Sequence, residues 1–336
     1  MLSADYADEH RLKGGVLGFE ICVHLRNLRI TLFLSFNRMP RYSPFTALCG
    51  RLAQLDQPRR ADLHVHTTAS DGEYTATQVV AFARQANLAA VAITDHDTLA
   101  AVEEARAAAE DVEVIPGVEI TVEFSGREVH LLGYFVRTDH MELNAALGKL
   151  CERRRERFRD YVAKLAARGV AIPADRARLV EQSTHSPGRR HVAALLVACC
   201  FAHHRTEAFH RFVGPLSGAV LPKQSLPIAE AIRLVHDAGG VSSLAHPPAD
   251  LTDDDFRLLA AEGLDAVEVE YPWGRTSPAA RLREVASQCG FALSGGSDCH
   301  GPDPAHRRVG SHAISLDELN ILRGRSARAG SRDSRS

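Results

Sequence analysis

Ala61-Asp-Leu-His-Val-His66 alternates its side chains across a β-strand, so His64 and His66 leave the same face. Leu63 and Val65 between them mark the strand as buried. Outward from this stretch, strands and helices take turns. Val79, Val80, Ala83 and Ala86 form one apolar stripe on a helix whose expected cap is Thr77. Ala89-Ala-Val-Ala-Ile-Thr94 is a buried strand ending at Asp95-His-Asp97. A helix over 99–110 leads to the strand Val112-Glu-Val-Ile-Pro-Gly-Val-Glu119, and Ser125-Gly126 turns a hairpin into Glu128-Val-His-Leu-Leu-Gly-Tyr-Phe135. Later come a helix over 228–238, the strands Val241–His246 and Ala266–Glu270, a helix over 278–289, and Phe291-Ala-Leu-Ser294 before the loop Gly295-Gly-Ser-Asp-Cys-His300. This alternation predicts an α/β fold with parallel strands.

The pattern lapses between about 140 and 225. Leu143–Arg168 is a long arginine-rich helix and 191–212 is helical with apolar stretches, with no strong strand among them. The expectation is an all-helical insertion over 141–225, splitting the barrel-forming residues into 59–140 and 226–323. Residues 1–58 form an N-terminal extension. Residues 1–38 show no clear period, and Met39-Pro-Arg-Tyr leads smoothly into the domain, so Met39 is the expected start. Residues 324–336, rich in Ser, Arg and Gly, are expected to be disordered. The net charge of −2 gives no global field to steer nucleic acid, so attraction for a phosphorylated ligand has to be local. Seven cysteines without regular spacing are expected to be reduced thiols, as in a cytoplasmic protein. The apolar run Ile30–Phe36 is far shorter than the ~20 residues a bilayer span needs, so no membrane partner is expected.

Where the polar residues fall is more informative. His66, Asp95-His96, Glu119, His246 and Asp298-His300 each stand at or just past the C-terminal end of a predicted strand. In barrel-type α/β folds, side chains from separated strands converge at that edge. One histidine there is ordinarily structural, whereas five strand ends carrying His, Asp or Glu point to a shared site. Two imidazoles on one strand face can grip one ion, and Asp298-x-His300 repeats that geometry with one oxygen and one nitrogen. Cys299 between them should point away. Asp71 follows in a Ser-Asp-Gly turn, where a turn-forming role competes with reaching back to an ion. Mixed N/O donors suit Mn, Fe or Zn. The set exceeds what one ion needs, whereas two or three ions sharing a carboxylate fit, with Glu119 the candidate bridge. Such clusters generate hydroxide at neutral pH and clamp a phosphoryl group for in-line displacement.

As an ordered set these residues resemble the PHP (polymerase and histidinol phosphatase) phosphoesterases. The matching pieces are Asp62-Leu-His-Val-His-Thr67 with Ser70-Asp-Gly72, Thr94-Asp-His-Asp97, Gly117-Val-Glu119, Glu128-Val-His-Leu-Leu-Gly133, Ala245-His-Pro247 and Ser297-Asp-Cys-His300. The resemblance spans residues 60–312 and implies a distorted (β/α)7 barrel with a trinuclear metal site at the strand C-termini. It implies that His64, His66, Glu119 and Asp298 hold the first metal. Asp71, His96 and His300, also the expected catalytic group, would hold the second, and Glu119, His130 and His246 the third. Manganese is the expected metal, with iron or zinc as alternatives.

Asp71 and the long helical insert resemble the subgroup of 3′,5′-nucleoside bisphosphate phosphatases, which includes RNA 5′-end exonucleases. That likeness implies removal of the 3′-phosphate of a nucleoside 3′,5′-bisphosphate, and action on the 5′ ends of short RNA. Arg154-Arg-Glu-Arg157 and Gly188-Arg-Arg-His191 resemble its phosphate-binding segments, so Arg154, Arg157, Arg189 and His191 are the expected substrate contacts. For Arg153–Arg159 a solvated helix face is the competing reading, and the i, i+3 spacing of Arg154 and Arg157 selects that pair. Ala194 departs from the subgroup, which has arginine there, and Ala219-Val-Leu replaces its tyrosine near Lys223. Glu268 is a candidate for orienting a ligand, with a structural role at the barrel rim as the alternative. The other functional readings are a phosphatase or phosphodiesterase for another small phosphorylated metabolite, or a non-catalytic metal-stabilised scaffold. No protein partner can be inferred.

Overall fold

The computed structural model describes residues 19–25, 28–34, 58–214, 217, 221, 225–272, 278–302 and 305–332. The chain divides into two compact units, Met1–Gln57 and Pro58–Ser336. In the first, β1 (Phe19–Leu25) and β2 (Leu28–Leu34) pair antiparallel, Phe19 opposite Leu34 and Leu25 opposite Leu28. The aperiodic reading of this segment did not foresee that pairing.

The second unit begins with β3 (Arg60–Val65), α1 (Ala76–Gln85), β4 (Ala90–Ile93), α2 (Val102–Ala108), β5 (Glu113–Phe124) and β6 (Arg127–Tyr134). Helices α3 (Met141–Ala166), α4 (Ala174–Ser183), α5 (Arg189–Ala198) and α6 (Arg205–Ala208) follow, with a π-helical turn at Phe209–Val213. Next come β7 (Leu226–Pro227), α7 (Ile228–Asp237), β8 (Val241–Leu244), α8 (Asp253–Ala261), β9 (Ala266–Glu270), α9 (Ala279–Cys289) and β10 (Ala292–Gly295). A 3₁₀ turn (Ala305–Arg307), β11 (Ile314–Ser315) and α10 (Leu316–Arg332) complete the order.

One sheet runs β10-β9-β8-β6-β5-β4-β3-β11, with the short β7 beside β5. The pairs β3/β4, β4/β5, β8/β9 and β9/β10 are parallel, while β6 is antiparallel to β5 and β8. The segment after β10 returns to β3 through a parallel bridge, Val65 to Cys299, where His66 N donates to Cys299 O at 2.9 Å. The sheet is thereby nearly closed into a seven-stranded barrel, distorted by the one reversed strand.

Burial explains why the strands read as apolar on both faces. Outward-facing Val91, Ile93, Val118, Ile120, Leu131, Val267 and Val269 join the helices in the larger core. The inner face changes character along each strand. Ile115, Leu132, Ala266 and Ala292 form an apolar floor. Two or four residues away on the same strands stand Glu119, His130, Glu268 and Ser294, so polarity collects at one end of the barrel.

Helix α3 links two cores. Leu143, Leu147 and Leu150 pack on the barrel. Phe158, Tyr161 and Leu165 pack with Ile172, Val192, Leu196 and Val213 in a separate helical core. Among the described residues from 141 to 225 there is no strand, although α4 was not foreseen because its sequence buries no residue. No helix among the described residues is long and apolar enough to cross a membrane.

Three local expectations are corrected. The cap of α1 is Thr75, in a reciprocal capping box with Gln78, while Thr77 lies inside the helix and bonds Glu104. Strand β5 does not stop at Glu119 but runs to Phe124, because the hairpin at Ser125-Gly126, both at positive φ, requires two long partners. The tail expected to be disordered from 324 is helical through Arg332. It is anchored where Arg325 donates to Asp265 O and Gly290 O, and Ser326 Oγ to Gly239 O. Residues 333–336 lie outside the described residues.

Candidate metal centre

Period two places His64 and His66 inside the barrel, both fully buried, with their Nε2 atoms 3.2 Å apart. Two imidazole nitrogens at that distance cannot both present lone pairs without a proton or cation between them. His64 Nδ1 lies 2.9 Å from Glu268 Oε1, so it donates there and leaves Nε2 facing the cluster. Glu268 is wholly buried, and its other oxygen accepts from His246 N at 2.6 Å. It therefore orients two site residues at once.

Glu119 projects from β5 past the end of β4 and meets the neighbours expected of a bridge. Its Oε1 lies 2.7 Å from His130 Nδ1 and 2.9 Å from His246 Nε2. Its Oε2 lies 3.0 Å from His96 Nδ1, 3.2 Å from His66 Nε2 and 3.4 Å from His64 Nε2. His130 was expected on a strand but away from its C-terminal end. Strand β6 runs backwards, so its first half lies at the same barrel edge.

The loops after β3 and β10 supply the rest. Asp298 Oδ1 stands 3.5 Å from His64 Nε2 and 3.3 Å from His66 Nε2, while Arg307 holds Oδ2. His300 Nδ1 donates to Asp298 O at 2.9 Å, which turns Nε2 toward Asp71 Oδ1 at 3.3 Å. Asp298 and His246 adopt positive φ, 49° and 28°, which is uncommon for non-glycine residues and is held here by the loops that carry them. Gly296 cannot carry a side chain, since a Cβ would stand 2.3 Å from His64 N. Cys299 points its thiol toward Gly301 O, away from the cluster, as expected.

Carboxylates outside the cluster fix these loops. Asp95 accepts from Thr67 N, Thr67 Oγ1 and Ser70 Oγ, all within 2.7 Å. Asp62 accepts from Ser297 N and Gly310 N, and burial pushes its pKa up to about 6 despite these donors. Asp97 accepts from Thr121 and Arg154; burial works to raise its pKa, but the guanidinium beside it holds it below the usual range.

The nine expected residues thus come together, and their donor atoms form groups: His66, Asp71, His96 and His300; His64, His66 and Asp298; His64, Glu119 and His246; His96, Glu119 and His130. Within each, the atoms lie within 4.8 Å of one another. Divalent ions fit this donor set. Asp71 Oδ1, His96 Nδ1 and Glu119 Oε2 are buried without a hydrogen bond, although nitrogen and oxygen stand close together. The cluster also draws positive charge. Burial works to lower His66, yet Asp298 and Glu119 raise it to about 9. Burial drives His96 down to about 3 against the pull of Glu119, leaving the neutral imidazole that metals take.

A cavity of about 260 Å³ opens over the cluster, lined by Asp71, His96, Glu119, His130, His246, Asp298 and His300 on one side and Arg154, Arg157, Arg189, Arg190 and Phe209 on the other. The expected substrate residues divide here. Arg154 spends Nε on Asp97 and Nη2 on Thr121 Oγ1, at 2.5 and 2.8 Å. Arg157 bonds Leu221 O and lies over the Tyr161 ring. Arg189 has no carboxylate partner among the described residues. His191 does not line the cavity: its Nδ1 accepts from Gly188 N at 3.1 Å, closing the start of α5. Sequence reasoning missed Arg190, the neighbour of a residue it selected, and Phe209, which carries no polar signal. Ala194 is exposed and outside the cavity, so its departure from the subgroup does not alter these walls. Ala219 lies outside the described residues.

Comparison with known proteins agrees with this geometry. The family model described as PHP domain matches residues 62–205. The Escherichia coli K12 protein named 5′-3′ exoribonuclease Rnm is 31% identical over 252 residues, covering 72% of this chain and 86% of that protein. The 3′,5′-nucleoside bisphosphate phosphatase of Chromobacterium violaceum is 29% identical over 256 residues, 74% of this chain and 90% of that one. A solved structure from Bifidobacterium adolescentis, designated a metal-dependent phosphoesterase, superposes with a TM-score of 0.72 at 29% identity, over 79% of this chain and 96% of its own. The chain belongs to the PHP domain family of metal-dependent phosphoesterases.

Proposed function

We propose that this chain removes the 3′-phosphate of a nucleoside 3′,5′-bisphosphate, with two or three divalent ions bound, manganese first among them. The observation that carries the reading is the single cavity in which seven cluster residues face four arginines and one phenylalanine. At about 260 Å³ it lies near the small end of ligand sites, which suits one nucleotide or the end of a strand.

His64, His66, Asp71, His96, Glu119, His130, His246, Asp298 and His300 would hold the ions, which when bound supply Lewis-acid charge at the reacting phosphoryl group. The chain's own residues do the remaining work. Arg189, without a carboxylate partner among the described residues, offers its planar fork to the second phosphate, and Arg190 stands beside it. Phe209 presents a face on which a base can stack. The insert supplies the facing wall of the cavity over the cluster, and a substrate bound there would exclude water and strengthen each charge interaction inside. Water adds to phosphorus and gives up a proton, the P–O3′ bond breaks as O3′ takes one, and inorganic phosphate and a nucleoside 5′-phosphate leave.

A second reading, hydrolysis at the 5′ end of short RNA, is favoured by charge. Residues 141–213 hold 14 Lys and Arg against 7 Asp and Glu, in a chain of net charge −2. The name of the Escherichia coli relative supports the same reading.

The test assays manganese-loaded protein on adenosine 3′,5′-bisphosphate, a 5′-phosphorylated oligoribonucleotide and an aryl phosphate, with elemental analysis of the same preparation. Chelation is expected to abolish all three activities. An active preparation without metal would end the metal reading. A bisphosphate turned over no better than the aryl phosphate would end the substrate assignment, and no turnover at all would favour the scaffold.

A further inference from the structure

Asp71 sits on a loop that its own barrel holds from one side only. Thr67 and Ser70 are tied inward to Asp95, and Gly72 N donates to Thr67 O at 2.9 Å. Gly72 is forced by this fold-back, because a Cβ there would stand 2.6 Å from His66 O. The carbonyls of Ala69 and Ser70 point the other way, into the helical insert. Thr184, 5% exposed at the end of α4, places Oγ1 2.8 Å from Ala69 O and 2.7 Å from Ser70 O. His185 N adds a bond to Ala69 O at 3.0 Å.

The peptide group is rigid and planar, so holding one oxygen fixes the plane. The plane joining Ser70 to Asp71 sets the direction from which the Asp71 side chain departs. Among the described residues, the hydrogen bond that holds this plane comes from Thr184. The next plane, from Asp71 to Gly72, is held by the barrel through Gly72 N and by the insert through Arg190 Nε on Asp71 O at 3.3 Å. Asp71 in turn is the carboxylate facing His300 at 3.3 Å and His96 at 3.9 Å.

We infer that Thr184 is a positioning residue for the ion held by Asp71, His96, His300 and His66, so the insert is part of that metal position as well as a cover. This rests on the metal reading proposed above. Outer partners of metal ligands commonly control affinity by about 10–100-fold, and Thr184 acts on a ligand backbone in the same way.

The experiment titrates the full metal-free chain with Mn²⁺ by calorimetry, comparing wild type, Thr184→Val and Thr184→Ser. Amide hydrogen exchange over residues 67–73 is followed in the same metal-free proteins. Thr184→Val is expected to weaken one ion by about 10–100-fold, leave the others near wild type, and speed exchange in the loop. Thr184→Ser, which keeps the hydroxyl, should restore both. If Thr184→Val fails to fold, Thr184→Ala, which also removes the hydroxyl, should weaken the same ion. Unchanged affinity in a folded Thr184→Val, or in Thr184→Ala where that variant must decide, would overturn the inference alone. A wild type that takes up no ion would overturn the metal reading and this inference together.

Discussion

Single residues of the same type play different parts in this site, and their partners decide which. Arg154 and Arg189 both face the cavity, yet only Arg154 is paired with a buried carboxylate. Arg154→Ala would leave Asp97 charged and unpaired, which costs about 3–5 kcal/mol when a buried pair is broken. That variant is therefore expected to lose stability in urea and to lose activity equally on bisphosphate and aryl phosphate. Arg189→Ala should fold normally and lose about 1.5–3 kcal/mol, tenfold or more in kcat/KM, on the bisphosphate alone. Equal losses on both substrates for Arg189→Ala would remove it from the second-phosphate site. Far from this cavity, Asp265 accepts from His236 Nε2 at 2.7 Å and from Ser242 N and Oγ at 2.9 Å. Burial works to raise its pKa, but His236 and the Ser242 donors together hold it below the usual carboxylate range. A depressed carboxylate stabilises the fold above its unfolded pKa, and that contribution fades as pH falls through the folded value. Asp265→Asn should thus be clearly less stable than wild type at pH 7, with the gap narrowing as pH falls below the usual carboxylate range. Denaturant titrations at pH 7 and below that range check the sign.

Elements behave as the local chemistry of their ends dictates. Thr75 and Gln78 cap α1 reciprocally, so Thr75→Ala should cost about 1 kcal/mol, whereas Thr77→Ala loses only an exposed bond to Glu104. Thermal melts of the two variants separate them. Strand β9 contributes more than packing. Its Glu268 links His64 to the backbone of His246, so Glu268→Gln exchanges one needed acceptor for a donor. Metal affinity should fall by about 10–100-fold with little change in far-ultraviolet circular dichroism. An unchanged affinity would return Glu268 to a purely structural part at the barrel rim.

For the molecule as a whole, the barrel and the ions are coupled. Ions that bind the folded cluster and not the unfolded chain stabilise by mass action, about 2.7 kcal/mol at a hundredfold excess over Kd. Chelation is therefore expected to lower Tm and Mn²⁺ to raise it, and a Tm indifferent to both would speak against an ion in the core of the cluster. The nine-stranded sheet is complete without β1 and β2, which pair with each other. We propose that residues 1–38 are dispensable to the barrel: their deletion should leave Tm and activity nearly unchanged, and a large fall in Tm would refute this.

The sequence by itself determined the fold class and the assembly of the cluster. The α/β class follows from short periods, while the barrel came through the resemblance; once the strands close into a barrel, successive strand ends lie at one edge, where His66, His96, His246 and His300 converge. His130 became legible only through a resemblance, because the reversal of β6 is a pairing choice made by β5 and β8. Which arginine lacks a carboxylate partner among the described residues was decided by tertiary structure alone. Arg154 and Arg189 look alike in the text, and only the approach of Asp97, 57 residues away in sequence, separates them. His191 shows the same limit: its place in the segment expected to bind phosphate was readable, but its ring closes the start of α5 instead. Capping, pairing and loop anchoring depend on which group reaches a buried donor or acceptor first, and that competition is settled across the folded chain and not along it.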